Sequence, residues 1–408
     1  MFNRRTAFAI PAAAAAAVSA VTSKVAAAAT AVKDIKLDVS TDKEAKRHDV
    51  HMEDLDLNSA QAFLTGFRKY VARNVSPIAR SRADAYLASK GVAKDKEMSS
   101  PEAYAFMLGD PVYAWASRLS VTTQQLTWHT LLEHYHRKAD HYLTEMEKAD
   151  KAGPGTLELN PNLQMPEYTK HEIHIQPGGY VGDAFAGHVY HSGTKNFYQE
   201  ENDHDEIHAS LANELRLPAD GKVTRILDLG CGIGQLTTAC KDRFPQAEVW
   251  GIDVGGPMVR YSHLRATKMN SEVHFAQRLA EDTKFPDNHF DIITSYIMFH
   301  EVTQEASRKI IAEAHRILRP GGVFIPYDFV MPPKEQDTAA GRRGTGVVAA
   351  AGSYAGSRMN GEPFIPQQSV MNFPEEMRKV GFTTARDFAP VRAGKPFTFP
   401  TLVATKTA

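Results

Sequence analysis

The sequence predicts an α/β fold: a parallel sheet with crossover helices in the second half of the chain, behind a mostly helical N-terminal region. Two observations predict it. From Arg225 onward, short apolar runs alternate with helical ones, as in strands joined by crossover helices. Before that, from about Asn58 to Ala149, apolar residues recur at helical spacing. At 408 residues the chain also exceeds one typical domain.

Residues 1–33 read as an address. "MFNRRTAFAIPAAAAAAVSAVTSKVAAAAT" has no acidic residue before Asp34 and sets Arg4 and Arg5 ahead of an alanine-dominated run, Ala7 to Val21. Small residues follow at Ala26 to Ala29, where a signal peptidase could cut. The pattern resembles a bacterial twin-arginine export signal, which places the protein in the periplasm; Asn3 and Ala7 depart from the usual residues around the pair. A mitochondrial transit peptide shares the arginines and the lack of acids, and a non-functional signal leaves the protein in the cytoplasm. The run is short and weakly apolar for a span of roughly 20 residues, so no stable membrane insertion is expected. From Val32 to Leu57 the chain is charged and aperiodic, and reads as a linker.

The helical N-terminal region is assigned to residues 34–170. In "NSAQAFLTGFRKYVARNV", Ser59 is the candidate N-cap, with Phe63, Phe67, Tyr70 and Val71 at helical spacing. In "SPIARSRADAYLASKG", Pro77 stands near the helix start and Gly91 just past its end. The clearest helix is expected from about Thr123 to Ala149, where Trp128, Leu132, Tyr135, Ala139, Tyr142 and Met146 form one apolar stripe.

Histidines are dense here: His129, His134, His136 and His141, then His171 and His174, then His188 and His191. Two metal ligands on one helix face want a spacing of three or four. His134 and His136 are two apart, and the pairs His129–His136 and His134–His141 are seven apart, so no metal site is read from them. They are expected as surface or substrate-pocket residues. "KHEIHIQPGGY" looks strand-like, with His171 and His174 at a rim.

With 47 basic and 48 acidic side chains, the net charge of −1 lacks the basic excess of a nucleic-acid binder. The two cysteines, Cys231 and Cys240, exclude a disulfide scaffold. Nothing in the sequence sets the oligomeric state.

The expected strands of the second half are "RILDL", "EVWGID", "VHFAQ", "FDIITSYIM" and "GVFIPYDF", then "TTARDFAP" and "TLVATK" paired antiparallel. Such a sheet binds its ligand at the carboxyl ends of its strands, where strand order reverses. The first strand runs into "DLGCGIG", with Asp228, Gly230, Gly232 and Gly234 at alternate positions. The dinucleotide pattern G-x-G-x-x-G fails in both frames, at Gln235 and at Thr237. These glycines let a ligand approach the backbone or let the backbone take positive φ. The acid before them suits a cationic ligand end. Asp253 closes the second strand 19 residues after Gly234, where a carboxylate can accept from both ribose hydroxyls.

Together "ILDLGCGIG", "GIDVGGPMV", "FPDNHFDIITSYIMFHEV" and "RILRPGGVF" resemble the ordered motifs of the class I S-adenosylmethionine-dependent methyltransferases, small-molecule branch, over about Thr224 to Tyr327. The resemblance implies a Rossmann-like seven-stranded sheet over residues 171–408, with a loop insertion or lid near 331–368. It implies S-adenosyl-L-methionine as cofactor, its methionine end held by Asp228 and the backbone at Gly230, Gly232 and Gly234. Asp253 would hold the ribose and Met258 pack near the adenine. Leu279 stands where family members often carry an aspartate, beside a retained Ala280, so the adenine amino group falls to Glu281, Asp282 or backbone. No "NPPY"-like tetrapeptide follows the fourth strand, which argues against methylation of nucleic acid.

Methyl transfer from a sulfonium is an in-line displacement that chiefly needs orientation and dryness. For a hydroxyl or thiol acceptor a general base helps. His300 is the first candidate, for its near-neutral pKa, and Glu301 the second; Tyr327 and Asp328 are lesser ones. Tyr190, Phe197 and Tyr198 are candidates to close over the cofactor. The expected activity is O-, S- or C-methylation of a small-molecule acceptor. A lipid or quinone acceptor is the enzymatic alternative, and a non-catalytic S-adenosylmethionine-binding protein the other.

Overall fold

The computed structural model describes residues 32–35, 54–198, 202–331, 346–393 and 397–407. The address at 1–33 therefore lies almost wholly outside the described residues, as does the linker up to 53.

Eight strands form one sheet: β1 Thr156–Glu158, β2 Arg225–Leu229, β3 Glu248–Asp253, β4 His274–Gln277, β5 Phe290–Tyr296, β6 Leu318–Tyr327, β7 Phe382–Ala393 and β8 Phe397–Lys406. Their order is β1-β4-β3-β2-β5-β6-β8-β7. The pairings from β1 to β6 are parallel, and β8 pairs antiparallel with β6 and β7. Seven strands are those expected. The eighth, β1, comes from the N-terminal region and lengthens the β4 edge, Thr156 opposite His274. Three residues of strand carry too little pattern to be seen in sequence.

The apolar runs are buried on both faces, as parallel strands under crossover helices must be. Ile226, Val249, Phe275, Ile292 and Val323 meet the helices Glu206–Asn213 and Gln235–Arg243 on one face. Leu227, Ile252, Ile293 and Phe324 meet Ile310, Ile311 and Ala314 of the helix Gln304–Ile317 on the other. Where a strand contributes to both sets, its two residues are one or three apart, as the period-2 alternation of pleated backbone requires.

β2 lies between β3 and β5, so strand order reverses there. The carboxyl ends of these three strands gather at one crevice, the ligand position of such sheets.

Several local expectations need correction. Asp54, not Ser59, caps the helix Leu55–Tyr70, its carboxylate accepting from the Asp56 and Leu57 amides. The expected helix 123–149 is two, Pro111–Arg137 and Ala139–Ala149, because Lys138 leaves the helical region at φ −108° and ψ 26°. The stripe survives the break: Trp128, Tyr135 and Met146 share one core with Phe185 and Val189, and Leu132, Ala139 and Tyr142 pack against it partly buried, while Leu131 is buried beside them. Residues 171–179 are turns, not strand; His174 and Ile175 have φ of 57° and 52°. Of the expected 331–368 insertion, residues 332–345 lie outside the described residues. The rest is not loop but the helices Val347–Asn360 and Ile365–Gln368. Alanine is the best helix former, and its run at 349–351 carries the first of them without an apolar stripe to announce it. Among the described residues no helix is long and apolar enough to cross a membrane.

Candidate functional site

The crevice holds a cavity of about 940 Å³, partly open, lined by the loops after β2, β3 and β5 and by the turns at 168–181. A recess of about 330 Å³ beside it is lined by Asp228, Gly230, Ile233 and Tyr296.

Gly230, Gly232 and Gly234 all have positive φ, at 66°, 53° and 75°. A Cβ on Gly230 would strike Met298 and one on Gly234 would strike Phe275, both at 2.7 Å, whereas at Gly232 nothing lies within 4 Å. Two glycines therefore serve packing, and Gly232 faces the open space where a ligand fits. Its amide donates to Asp253 Oδ2 at 2.9 Å, and the Gly255 amide donates to Oδ1 at 2.8 Å. Asp253 thus ties the loops after β2 and β3 together at the cavity wall. Burial raises its pKa to about 6 against the pull of those amides.

Asp228 is 1% exposed. Thr237 Oγ1 donates to its Oδ2 at 2.7 Å, while Oδ1 is buried with no hydrogen-bond partner. Burial lifts its pKa to about 7, with Asp253 adding repulsion. A buried carboxylate with one oxygen unclaimed suits a cationic ligand group. Met258, Ala280 and Glu281 line the cavity at the far side of Asp253. Glu281 accepts from the Tyr168 hydroxyl at 2.7 Å. Asp282 instead turns to Lys284. Cys231 and Cys240 are buried, and burial pushes both thiols well up, so neither is a nucleophile.

The opposite wall comes from segments distant in sequence. The turn Phe299–Glu301 follows β5 and places Glu301 on the cavity, with His300 behind it at 2% exposure. His300 Nδ1 lies 3.0 Å from Asp328 Oδ2, and Nε2 lies 3.4 Å from Glu301 Oε1. Burial disfavours the imidazolium, but Asp328 and Glu301 outweigh it and hold the pKa well above the ordinary value. Glu301 Oε2 is buried without a partner. Glu301 does not cap the next helix; Thr303 does, accepting from Ala306. Tyr327 is turned away, donating to the Leu211 carbonyl at 3.0 Å. Asp328, fully buried, orients His300 and accepts from the Phe299 amide at 2.9 Å.

His174 joins this wall. The Trp128 and Gln124 side chains, on the long helix, both donate to its carbonyl at 2.7 and 3.2 Å, which fixes its left-handed backbone. The Tyr180 hydroxyl lies 2.6 Å from Nδ1, and Nε2 lies 3.1 Å from Glu362 Oε1. Ile297, a β-branched residue at φ 47°, also lines the cavity. Left-handed residues of this kind persist where surrounding contacts over-determine them, commonly at functional sites. Tyr190 lines the cavity; Tyr198 is buried with its hydroxyl 3.3 Å from Tyr296, and Phe197 packs on Trp128 and His174. His188 is core, burial lowering its pKa to about 3.

Sequence reading missed Tyr168, Tyr180, Tyr296 and Glu362. Tyr296 sits in a quoted motif but was given no role there, the other three sit in none, and Glu362 is separated from His174 by 188 positions. The one available signal was the histidine density, and only the fold shows that His174 leaves the others.

The family described as "Methyltransferase domain" matches residues 226–322. A demethylmenaquinone methyltransferase of Thermus thermophilus is 37% identical over 27% of this chain and 49% of its own. A ubiquinone/menaquinone biosynthesis C-methyltransferase of Psychromonas ingrahamii is 34% identical over 27% of this chain and 45% of its own. The chain thus spans about half the length of these curated relatives. A solved structure of a TehB-like SAM-dependent methyltransferase from Corynebacterium glutamicum is 15% identical, covering 55% of this chain and 100% of that one at a TM-score of 0.36. Residues 226–322 are thus similar to S-adenosylmethionine-dependent methyltransferase domains.

Proposed function

We propose that this chain moves the methyl group of S-adenosylmethionine to a small-molecule acceptor held between the cofactor loops and the wall of His174 and Glu301. One observation carries the reading: a single cavity is lined both by Gly232, Asp253 and Met258 and by His174, Tyr180 and Glu301. Asp253 suits the ribose hydroxyls, since each of its oxygens keeps acceptor capacity beyond its one amide. Asp228 Oδ1 suits the cationic amino-acid end, and Met258 with Ala280 an adenine face.

In the reaction the acceptor's electron pair forms the new bond to the methyl carbon as the carbon–sulfur bond breaks. The sulfonium leaves as a neutral thioether. The acceptor's proton goes to Glu301, whose Oε2 is unclaimed and which stands between the cavity and His300. His300, with both ring nitrogens facing carboxylates, holds Glu301 in position from behind. The surrounding aromatic side chains exclude water.

A quinone acceptor is the second reading, favoured by the printed names of the two relatives above. His174, Tyr180 and Glu362 lie outside the family match, whereas Glu301 lies within it. Residues 1–33 are proposed to direct export.

Calorimetry with S-adenosylmethionine and with NAD tests the reading: binding of the former alone is expected, and preference for NAD overturns it. A labelled methyl donor offered with hydroxyl, thiol and quinone acceptors then separates the acceptor classes.

A further inference from the structure

We propose that His174, Glu301 and Glu362 hold a divalent transition-metal ion on the acceptor side of the cavity. One ligand atom from each lies within 4.8 Å of the other two. His174 Nε2 is 3.1 Å from Glu362 Oε1 and 3.7 Å from Glu301 Oε1. Metal–ligand bonds of about 2.0–2.2 Å set neighbouring ligand atoms roughly 3–3.6 Å apart, so the three atoms need only a small closure.

The surroundings are those of a metal site. His174 and Glu362 are 8% and 5% exposed. The Tyr180 hydroxyl engages His174 Nδ1 at 2.6 Å, which directs Nε2 to the carboxylates. Asn360 Nδ2 engages Glu362 Oε2 at 3.3 Å, leaving Oε1 turned to the site. Partners on the far atoms of metal ligands orient them and tune their basicity. His300 Nε2 packs behind the two carboxylates, 3.4 Å from Glu301 Oε1 and 4.0 Å from Glu362 Oε1, its Nδ1 held by Asp328. The left-handed backbone at His174 and the left-handed Gly361 before Glu362 bring two of the ligands to one point.

The donor chemistry selects the ion. Two carboxylates match a charge of +2, and an imidazole favours zinc, manganese or iron over the all-oxygen preferences of calcium and magnesium. Three protein ligands leave coordination positions open toward the cavity, as in catalytic and not structural sites. An acceptor oxygen bound there would be oriented beside the cofactor and lose its proton more readily; this role rests on the methyl-transfer reading, whereas the binding site does not.

The full chain, stripped with a chelator and titrated with Zn²⁺ by calorimetry, is expected to bind one ion. Co²⁺ in its place should give a visible d–d spectrum with nitrogen and oxygen ligation. Glu362→Gln and His174→Ala should abolish both signals, and Tyr180→Phe should weaken binding about 10- to 100-fold. S-adenosylmethionine affinity of Glu362→Gln is measured alongside and should hold, because Glu362 does not line the cofactor loops. Wild-type protein that binds no equivalent of Zn²⁺ and gains no thermal stability from it overturns the proposal, even where a variant fails to fold; the cluster is then a histidine–carboxylate hydrogen-bonded group. Zn²⁺ binding undiminished in both variants overturns it equally. Metal binding without S-adenosylmethionine binding would sink the methyl-transfer reading and leave this site standing.

Discussion

The Gly232 amide donates to Asp253 Oδ2 at 2.9 Å, so the loop after β2 is hung on the carboxylate that ends β3. Since Gly255 holds the other oxygen, Asp253 is the clasp between the two loops and, on the proposed reading, a ligand contact as well. Asp253→Asn turns one acceptor into a donor facing an amide donor. The expected cost to S-adenosylmethionine binding is about 1.5–3 kcal/mol, the range for hydrogen bonds to a charged group, read by calorimetry. Unchanged affinity would remove Asp253 from the site.

Gly232 and Gly234 share a left-handed backbone but differ in what a methyl group would meet. Gly232→Ala should fold with a loss of about 1–2 kcal/mol for the backbone alone and should lose cofactor binding, since its Cβ fills the ligand's space. Gly234→Ala drives a Cβ onto Phe275 and should cost more stability. Thermal melts and calorimetry on both separate a binding glycine from a packing one; equal stability losses would contradict the assignment.

Asp228 sets a pH dependence. Its folded pKa of about 7 lies above the ordinary 3.8 because burial disfavours the charge. Between those values the unfolded chain has released a proton that the folded one keeps, so stability falls as pH rises from about 4 to 7 and is flat above. Asp228→Asn removes that cost, and the ligand-free variant should melt higher than wild type at pH 8. A cationic ligand favours the carboxylate, so wild-type affinity should drop as pH falls below about 7, and the variant should bind weakly at every pH. A variant less stable at pH 8 would show that Asp228 is neutralised by something else.

The meeting of the loops after β2 and β3 at one cavity was legible because it is local. Asp228, Gly230, Gly232 and Gly234 lie within seven residues at the end of one apolar strand, and Asp253 ends the next. Strand type and order followed from β-branched runs punctuated by glycine and proline. The acceptor wall was not legible, because His174, Glu301 and Glu362 come from a turn, a strand end and a helix end far apart in the chain. Periodicity tests spacing along one element and is blind to such meetings. His174 also breaks the local rule: a histidine in left-handed backbone beside an equally left-handed Ile175 has no propensity signal, and only the donors of Gln124 and Trp128 hold it there.

Residues 1–33 are expected to export a reporter fused behind them, with Arg4 and Arg5 both required. Replacing the pair by lysines should strand the reporter in the cytosol, as shown by fractionation. A reporter that stays cytosolic with the native pair intact refutes the address.

Glu301 and His300 divide the remaining chemistry, and their variants should differ. Glu301 faces the cavity with Oε2 unpartnered, whereas His300 lies behind it with each ring nitrogen near a carboxylate. Glu301→Gln keeps the shape and removes the proton acceptor, so turnover on a hydroxyl acceptor should fall roughly 100- to 10,000-fold. Cofactor affinity should stay within about threefold, because the group faces the acceptor. His300→Gln retains a donor toward Asp328 and should cost less, chiefly in turnover, by loosening Glu301. His300→Ala is a poorer probe, since it strips the buried Asp328 of its imidazole and should destabilise the fold. If His300→Gln proves more damaging than Glu301→Gln at equal stability, the imidazole is the proton acceptor and Glu301 its support. If both keep near-normal turnover while S-adenosylmethionine binding is intact, the acceptor needs no base and is a thiolate or an already ionised oxygen.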